Sequence, residues 1–253
     1  MTKTNRRVFL RQRSEGRMPV LADFGVEDVP LPPLQPGEVR VAVETLTVDA
    51  WIRTTLSSAG MHDTAALGST IQAFGVGQVI ASAAEGFQVG DWAHGMLCAQ
   101  TIAQLPAAGL SRIEPEPGIP LSAHVGALGI TTGLTAWVGL IAVGEVKAGD
   151  VVVVSGAAGA VGSCAVLLAK ARGARVIGIA GGPEKCAYVA GELGADHAID
   201  YRAGDVAGAI AVLAPGGIDV FFDNVGGEVL DAALDNLRPD GGARVVICGA
   251  ISQ

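Results

Sequence analysis

Lysine is scarce in this chain, with only four among 253 residues, and tyrosine is scarcer, with Tyr188 and Tyr201 the only two. Basic residues number 17 against 25 acidic ones, a formal net charge of −8, which argues against a general nucleic-acid binder. The four cysteines, Cys98, Cys164, Cys186 and Cys248, lie far apart, with no C-x-x-C and no nearby Cys/His cluster. That spacing excludes an obvious zinc knuckle or disulfide framework and suits a reducing compartment. Charge of either sign is also sparse, at 17%, while half the chain is hydrophobic, so a packed core is expected and disorder is not. What is abundant is glycine: 36 residues without a G-X-Y period, which implies frequent turns and close backbone approaches rather than collagen.

Two segments imitate targeting signals. Asn5-Arg6-Arg7-Val8-Phe9-Leu10-Arg11 has the look of a twin-arginine export signal, but polar Gln12 to Arg17 follows where an apolar stretch is needed, so a first β-strand is expected instead. Residues 117–144 carry no Asp, Glu, Lys or Arg and are long enough to span a bilayer. Six glycines, two prolines and His124 interrupt them, and their second half reads as a helix packed inside a soluble protein. The expectation is a cytoplasmic chain with no membrane partner.

The first half reads as β. Residues 39–46 alternate apolar and polar, the mark of a half-buried strand, after a turn-rich connector at 30–37 that no helix crosses. Further short strands at 75–81 and 91–96 suggest a small, irregular barrel. The second half changes period. Buried β-branched runs at 151–154, 175–179, 197–201, 218–222 and 244–248 alternate with helices at 161–172, 183–193, 206–213 and 228–237. Strand-helix alternation implies a parallel, doubly wound sheet. Pro115, Pro117 and Pro120 cluster where the period changes, which divides the chain into domains 1–122 and 123–253.

The sharpest motif is Ser155-Gly156-Ala157-Ala158-Gly159-Ala160-Val161-Gly162, placed after a buried strand and opening a helix. This is the context a dinucleotide fingerprint requires. Gly159 lets backbone approach a pyrophosphate, Gly162 lets the helix pack on the strand, and the helix N-terminus offers unpaired N–H groups to the phosphates. An NAD site places an acidic residue about 20 residues further on, for the ribose 2′-OH. Here Ile179-Ala180-Gly181-Gly182-Pro183 offers none before Glu184, which favours NADP(H), with Lys185 either the compensating charge or a solvated surface lysine.

Residues 158–162, Phe222-Asp223-Asn224-Val225-Gly226-Gly227 and Cys248-Gly249-Ala250-Ile251-Ser252 together resemble the zinc-independent medium-chain dehydrogenase/reductases, in the branch of leukotriene B4 dehydrogenase, prostaglandin reductase and curcumin reductase. Residues 46–53, Gly90-Asp91-Trp92 and 128–137 match as well, so the resemblance covers nearly the whole chain. It implies an α/β fold: a GroES-like β-barrel catalytic domain plus a Rossmann doubly wound parallel sheet lacking its last strand. It implies NADPH-dependent reduction of the C=C bond of an α,β-unsaturated carbonyl compound. Hydride goes to the β-carbon and a proton to the α-carbon. Val48-Asp49 and Gly68-Ser69-Thr70 stand where the zinc enzymes of the superfamily place a Cys and a Gly-His-Glu, so no metal is expected.

By the same resemblance, Ala158, Gly159, Ala160 and Val161 touch the pyrophosphate. Lys185 and Tyr201 hold the adenosine 2′-phosphate, Asn224 meets the nicotinamide ribose, and Thr135 lines the nicotinamide pocket. Cys248, Gly249, Ala250, Ile251 and Ser252 pass beneath the nicotinamide. Each has a plainer structural reading: Asn224 capping the next turn, Tyr201 packing at a strand end, Cys248 as a small buried residue. The substrate pocket takes Asp49, Trp51 and Arg53. Trp51 replaces the family's Tyr, and an indole is no general acid. Arg53 either steers a substrate carboxylate or pairs with Asp49. The catalytic proton donor is not identified. Relatives continue past the position of Gln253 with a Tyr-Asn pair, a sixth strand and a return segment to the barrel, so a truncated chain is expected, with a homodimer only for a full-length form.

Neither tyrosine starts a Tyr-x-x-x-Lys pair, since Glu192 follows Tyr188 and Asp205 follows Tyr201, so the short-chain dehydrogenases are excluded. The remaining alternatives are an NADPH:quinone oxidoreductase, with an enone, enal or quinone as small-molecule partner, and a non-catalytic NADPH-binding scaffold.

Overall fold

The computed structural model describes residues 4–58 and 63–251, and the chain divides after Gly126 into two compact units. In the first, the hairpin β1 (Thr4–Leu10) and β2 (Phe24–Pro30) pairs antiparallel from Thr4↔Pro30 to Leu10↔Phe24. The apparent export signal is thus a strand, as its polar continuation implies. A five-stranded antiparallel sheet follows, built from β3 (Glu38–Leu46), β4 (Gly75–Ser82), β5 (Trp92–Gly95), β6 (Ile102–Pro106) and β7 (Leu110–Ile113). Its order is β6-β3-β4-β5-β7. β3 is bulged twice against β4, at Arg40/Val41 and at Val43/Thr45, which sharpens its twist. Val39, Val41, Val79, Ala93, Leu97 and Ala103 form the core of this sheet. The short helix α1 (Ala50–Thr54) leaves β3 with Asp49 at its N-cap.

The second unit opens with a helical stretch over residues 130–143. It contains the α-turn α2 (Thr135–Trp137) between two π-helical turns, Ile130–Leu134 and Val138–Val143, with i→i+5 bonds such as Leu134 N to Gly129 O. Small residues allow this. A Cβ on Gly139 would stand 2.5 Å from the Phe222 ring, and one on Gly133 would meet the Ala127 carbonyl oxygen. Among the described residues no helix is long and apolar enough to cross a membrane.

Five parallel strands follow: β8 (Val151–Val154), β9 (Arg175–Ala180), β10 (His197–Asp200), β11 (Val220–Asp223) and β12 (Arg244–Ile247), in the order β10-β9-β8-β11-β12. The connecting helices are α3 (Ala160–Ala171), α4 (Pro183–Gly191), α5 (Val206–Leu213) and α6 (Gly227–Leu234). Both faces of the sheet are covered, which is why its strands are continuous apolar runs. Val152, Val154 and Phe222 enter one core cluster, with Ala165, Val166 and Val189, while Val153, Ile177 and Phe221 enter the other, with Ile210 and Ala233. Phe221 and Phe222 are both fully buried, each contributing about 2–3 kcal/mol relative to exposure.

The strand order reverses between β8 and β11. In open parallel sheets, the crevice outside the carboxyl ends at that point is where ligands bind.

Candidate functional site

The turn from β8 to α3 is shaped by glycines. Gly156 has φ +57°, the left-handed region a side chain disfavours. A Cβ on Gly162 would stand 2.2 Å from the Gly156 carbonyl oxygen, so only glycine lets the first turn of α3 lie against the loop. Ala157 donates its N–H to the Ile179 carbonyl at 3.0 Å, which locks the loop onto β9. Gly159 is the N-cap, and no side chain caps the helix there. The N–H groups of the first turn, from Ala160 and Val161 among others, are therefore available to an anion. Gly159 and Ala160 are exposed, and no bulky side chain stands at the turn. Backbone room, free donors and a helix N-terminus together fit a dinucleotide pyrophosphate.

Beside this turn lies a buried polar network that the sequence motifs do not announce. Ser155 and Asp223 are both fully buried. The Ser155 hydroxyl donates to Asp223 Oδ1 at 2.7 Å and accepts the Asn224 N–H at 2.8 Å. The Asn224 side-chain amide donates to the Ser155 carbonyl at 2.7 Å. The Asp223 carboxylate also receives the N–H groups of Val225 and Gly226, so Asp223, not Asn224, caps the turn into α6. The ends of β8 and β11 are thereby stitched together where the strand order reverses. Cys248 and Gly249 extend the network by donating their N–H groups to the Asp223 carbonyl at 2.8 and 3.0 Å.

Of the other residues expected at the nicotinamide end, Cys248 and Gly249 are half-buried, while Ala250 and Ile251 are exposed. Burial and the neighbouring Asp223 raise the Cys248 thiol pKa, so this sulfur stays protonated and inert at neutral pH. Ser252 lies outside the described residues. Thr135 is half-buried, and its hydroxyl donates to the Ile130 carbonyl at 2.8 Å, across the first π turn. Such turns recur at functional sites.

Lys185 and Tyr201 come to the same end of the sheet. Lys185 is exposed in the first turn of α4, behind Pro183. Tyr201 opens a 3₁₀ turn after β10 with its ring against the β9–α4 turn, where a Cβ on Gly181 would stand 2.9 Å from the phenol oxygen. The Asp200 carboxylate accepts the N–H groups of Gly182 at 2.8 Å and Arg202 at 3.0 Å, and these two bonds hold its pKa below the ordinary range. Asp200 is thus committed to shaping the turn. No carboxylate takes the place after Ala180 that would receive a ribose hydroxyl.

In the first unit, Asp49, Trp51 and Arg53 share the start of α1. The Asp49–Arg53 ion pair, one of the two readings of Arg53, does not form. Asp49 instead accepts the Trp51 indole N–H at 3.2 Å, and Arg53 is exposed. The indole N–H two residues after the N-cap reaches the Asp49 carboxylate, while the Arg53 guanidinium, four residues after it, stays in solvent. Phe74 joins this group, edge-on to Trp51 with centroids 6.3 Å apart and stacked on His94 at 6.0 Å. Burial, and then the nearby His124, lower the His94 pKa and keep it neutral. Neither Phe74 nor His94 is marked by a local motif. Among the described residues, no group of three or more His, Cys, Asp or Glu side chains is placed to hold a metal ion.

Comparison with known proteins agrees with this architecture. Residues 160–253 match a family described as zinc-binding dehydrogenase, and residues 6–113 match one described as N-terminal domain of oxidoreductase. NADPH-dependent curcumin reductase of Escherichia coli (strain K12) is 34% identical over 98% of this chain and 71% of its own. Prostaglandin reductase 1 of Mus musculus is 35% identical over 96% and 72%. Among solved structures, CurA from Vibrio vulnificus superposes with a TM-score of 0.90 at 36% identity, covering 98% of this chain and 72% of CurA. CurA in complex with NADPH gives 0.85 at 35%, with the same coverage.

Proposed function

The chain belongs to the zinc-independent branch of the medium-chain dehydrogenase/reductases, and from that premise we propose that it is an NADP-dependent oxidoreductase that reduces the C=C bond of α,β-unsaturated carbonyl compounds. The observation that carries this reading is the uncapped, glycine-shaped start of α3 beside a β9–α4 turn that bears a lysine and lacks a carboxylate. Bound NADPH supplies the hydride equivalent for the β-carbon of the substrate.

The protein's own part is to bind and orient. Ala158, Gly159, Ala160 and Val161 present backbone to the pyrophosphate. Lys185 meets the adenosine 2′-phosphate with its charge and Tyr201 with its phenol O–H. Asn224, held by Ser155, meets the nicotinamide ribose, with Thr135 and Cys248 to Ile251 around the nicotinamide. Asp49, Trp51 and Arg53 belong to the substrate pocket. The Trp51 N–H is oriented by Asp49, so the indole offers shape and a fixed donor rather than a transferable proton.

Turnover tests the proposal. NADPH absorbance is followed with a panel of enones, enals and quinones, and the products are analysed. Consumption with an enone, giving the saturated ketone, is expected. Consumption with quinones alone would make the chain a quinone reductase, a reading that the structural likeness to a quinone oxidoreductase of Pseudomonas syringae pv. Tomato DC3000, with a TM-score of 0.78 at 26% identity, keeps in view. Binding without turnover on any of them would leave a dinucleotide-binding scaffold. Lys185→Ala is expected to weaken NADPH by about 10-fold or more, the worth of one charge-assisted contact, and to leave NADH unchanged. Equal loss for both cofactors would contradict the 2′-phosphate role.

A further inference from the structure

We propose that Arg202 is a further specificity-determining residue, whose guanidinium closes the adenosine 2′-phosphate subsite opposite Lys185. The inference rests on the reading that this sheet end takes an NADP-type dinucleotide, and it adds a group that the glycine motif and the family resemblance do not assign.

Three observations place it. The guanidinium carbon lies 5.7 Å from the centroid of the neighbouring Tyr201 ring, so the side chain is stacked on the residue whose ring rests against Gly181. One terminal nitrogen comes within 3.7 Å of where a Cβ on Gly182 would stand, so Arg202 reaches from the end of β10 across to the β9–α4 turn. The backbone is fixed as well, because the N–H of Arg202 and that of Gly182 both donate to Asp200 Oδ1. The stack and the shared oxygen hold the guanidinium at the mouth of the glycine turn, with Lys185 on the helix that leaves it.

The charge there closes on no ion pair, although it lies near enough to Asp200 to help lower that carboxylate's pKa. Elsewhere in the same unit, Lys170 closes on Asp196, Arg238 on Asp219 and Asp240, and Arg244 on Glu145. Among the described residues, neither Arg202 nor Lys185 has a carboxylate within ion-pair reach. Arg202 at the glycine turn and Lys185 in the first turn of the helix that leaves it are two cations without an ion-pair partner, set beside Glu184 and the hydrogen-bonded Asp200. A phosphomonoester dianion complements this pair of cations. The planar guanidinium fork grips two phosphate oxygens at once, whereas the ammonium of Lys185 acts as a point charge. The arginine also offsets the repulsion that Asp200 exerts on an incoming phosphate.

Calorimetric titration of the full chain with adenosine 2′,5′-bisphosphate and with adenosine 5′-monophosphate tests this without turnover. Wild type is expected to prefer the bisphosphate. Arg202→Ala should lose about 10-fold or more of that preference while holding the monophosphate as before, and Arg202→Lys should recover part of it. Since Arg202 is exposed, an unchanged monophosphate affinity also certifies the fold. If wild type discriminates and Arg202→Ala discriminates equally well, the Arg202 assignment is wrong and the NADP reading stands. If wild type shows no preference between the two ligands, the NADP reading itself fails.

Discussion

Gly162 concentrates the chemistry of the site in the absence of a methyl group. A Cβ there would lie 2.2 Å from a backbone carbonyl oxygen, 2.9 Å from the Gly156 carbonyl carbon and 2.9 Å from the Ala157 Cα, and none of these can swing aside as a flexible side chain can. Gly162→Ala must therefore push α3 away from the loop. An overpacking cost of about 1–3 kcal/mol is expected, together with loss of dinucleotide affinity, because the first-turn N–H groups move with the helix. Thermal unfolding and an NADPH titration of the variant check both effects, and wild-type values in both would show that the loop has slack. Gly162 is legible in sequence because the constraint is local and admits one residue type. Ser155, Asp223 and Arg202 are not, since each acquires its role from a residue that another strand or turn delivers. The Ser155–Asp223 hydrogen bond spans 68 residues, and no local pattern encodes such a pairing.

At the scale of elements, that bond makes the β8 and β11 turns one structure. Ser155→Ala removes a donor to a fully buried carboxylate and an acceptor for the Asn224 N–H in a single step. Groups left unpaired inside a protein cost about 1–3 kcal/mol. Each kcal/mol lowers the melting temperature of a chain this long by roughly 2–4 °C. The expected outcome is a fall of about 2–12 °C, measured by circular dichroism, whereas an unchanged melting point would mean that water replaces the hydroxyl. The elements of the second unit read out of the sequence closely. The helix expected at 206–213 is α5 residue for residue, and α3 begins one residue before its expected start. Strong β-branched runs bounded by glycine leave little choice of period there. The first unit was less legible. β2, β6 and β7 lie outside the strands expected from alternation; β6 and β7 are also short, and β6 is fixed by pairing with the distant β3. The helix expected in the second half of residues 117–144 is present, but its π turns are not written in any periodicity. They follow from glycines packed against β11 and the preceding loop.

For the molecule as a whole, the chain divides into two compact units, and the proposed roles divide with them. Every residue proposed to meet the dinucleotide, from Thr135 to Ile251, lies beyond Gly126, and every pocket residue proposed from sequence, Asp49, Trp51 and Arg53, lies before it. The second unit contains all five parallel strands of the described residues and both of the clusters that sandwich them, including the fully buried Phe221 and Phe222. Each half has its own core, as an independently folding domain requires. A chain beginning at Ala127 is accordingly expected to fold with a cooperative thermal transition. It should bind adenosine 2′,5′-bisphosphate within about threefold of the intact protein, since that ligand asks only for the α3 start and the Lys185–Tyr201–Arg202 corner, and a threefold change is about 0.6 kcal/mol. The same chain should show no alkene reduction, because the residues proposed to hold the substrate are gone. A well-folded second unit that had lost most of its affinity for the bisphosphate would mean that residues before Ala127 complete the nucleotide site, and the assignment of cofactor to one unit and substrate to the other would have to be redrawn.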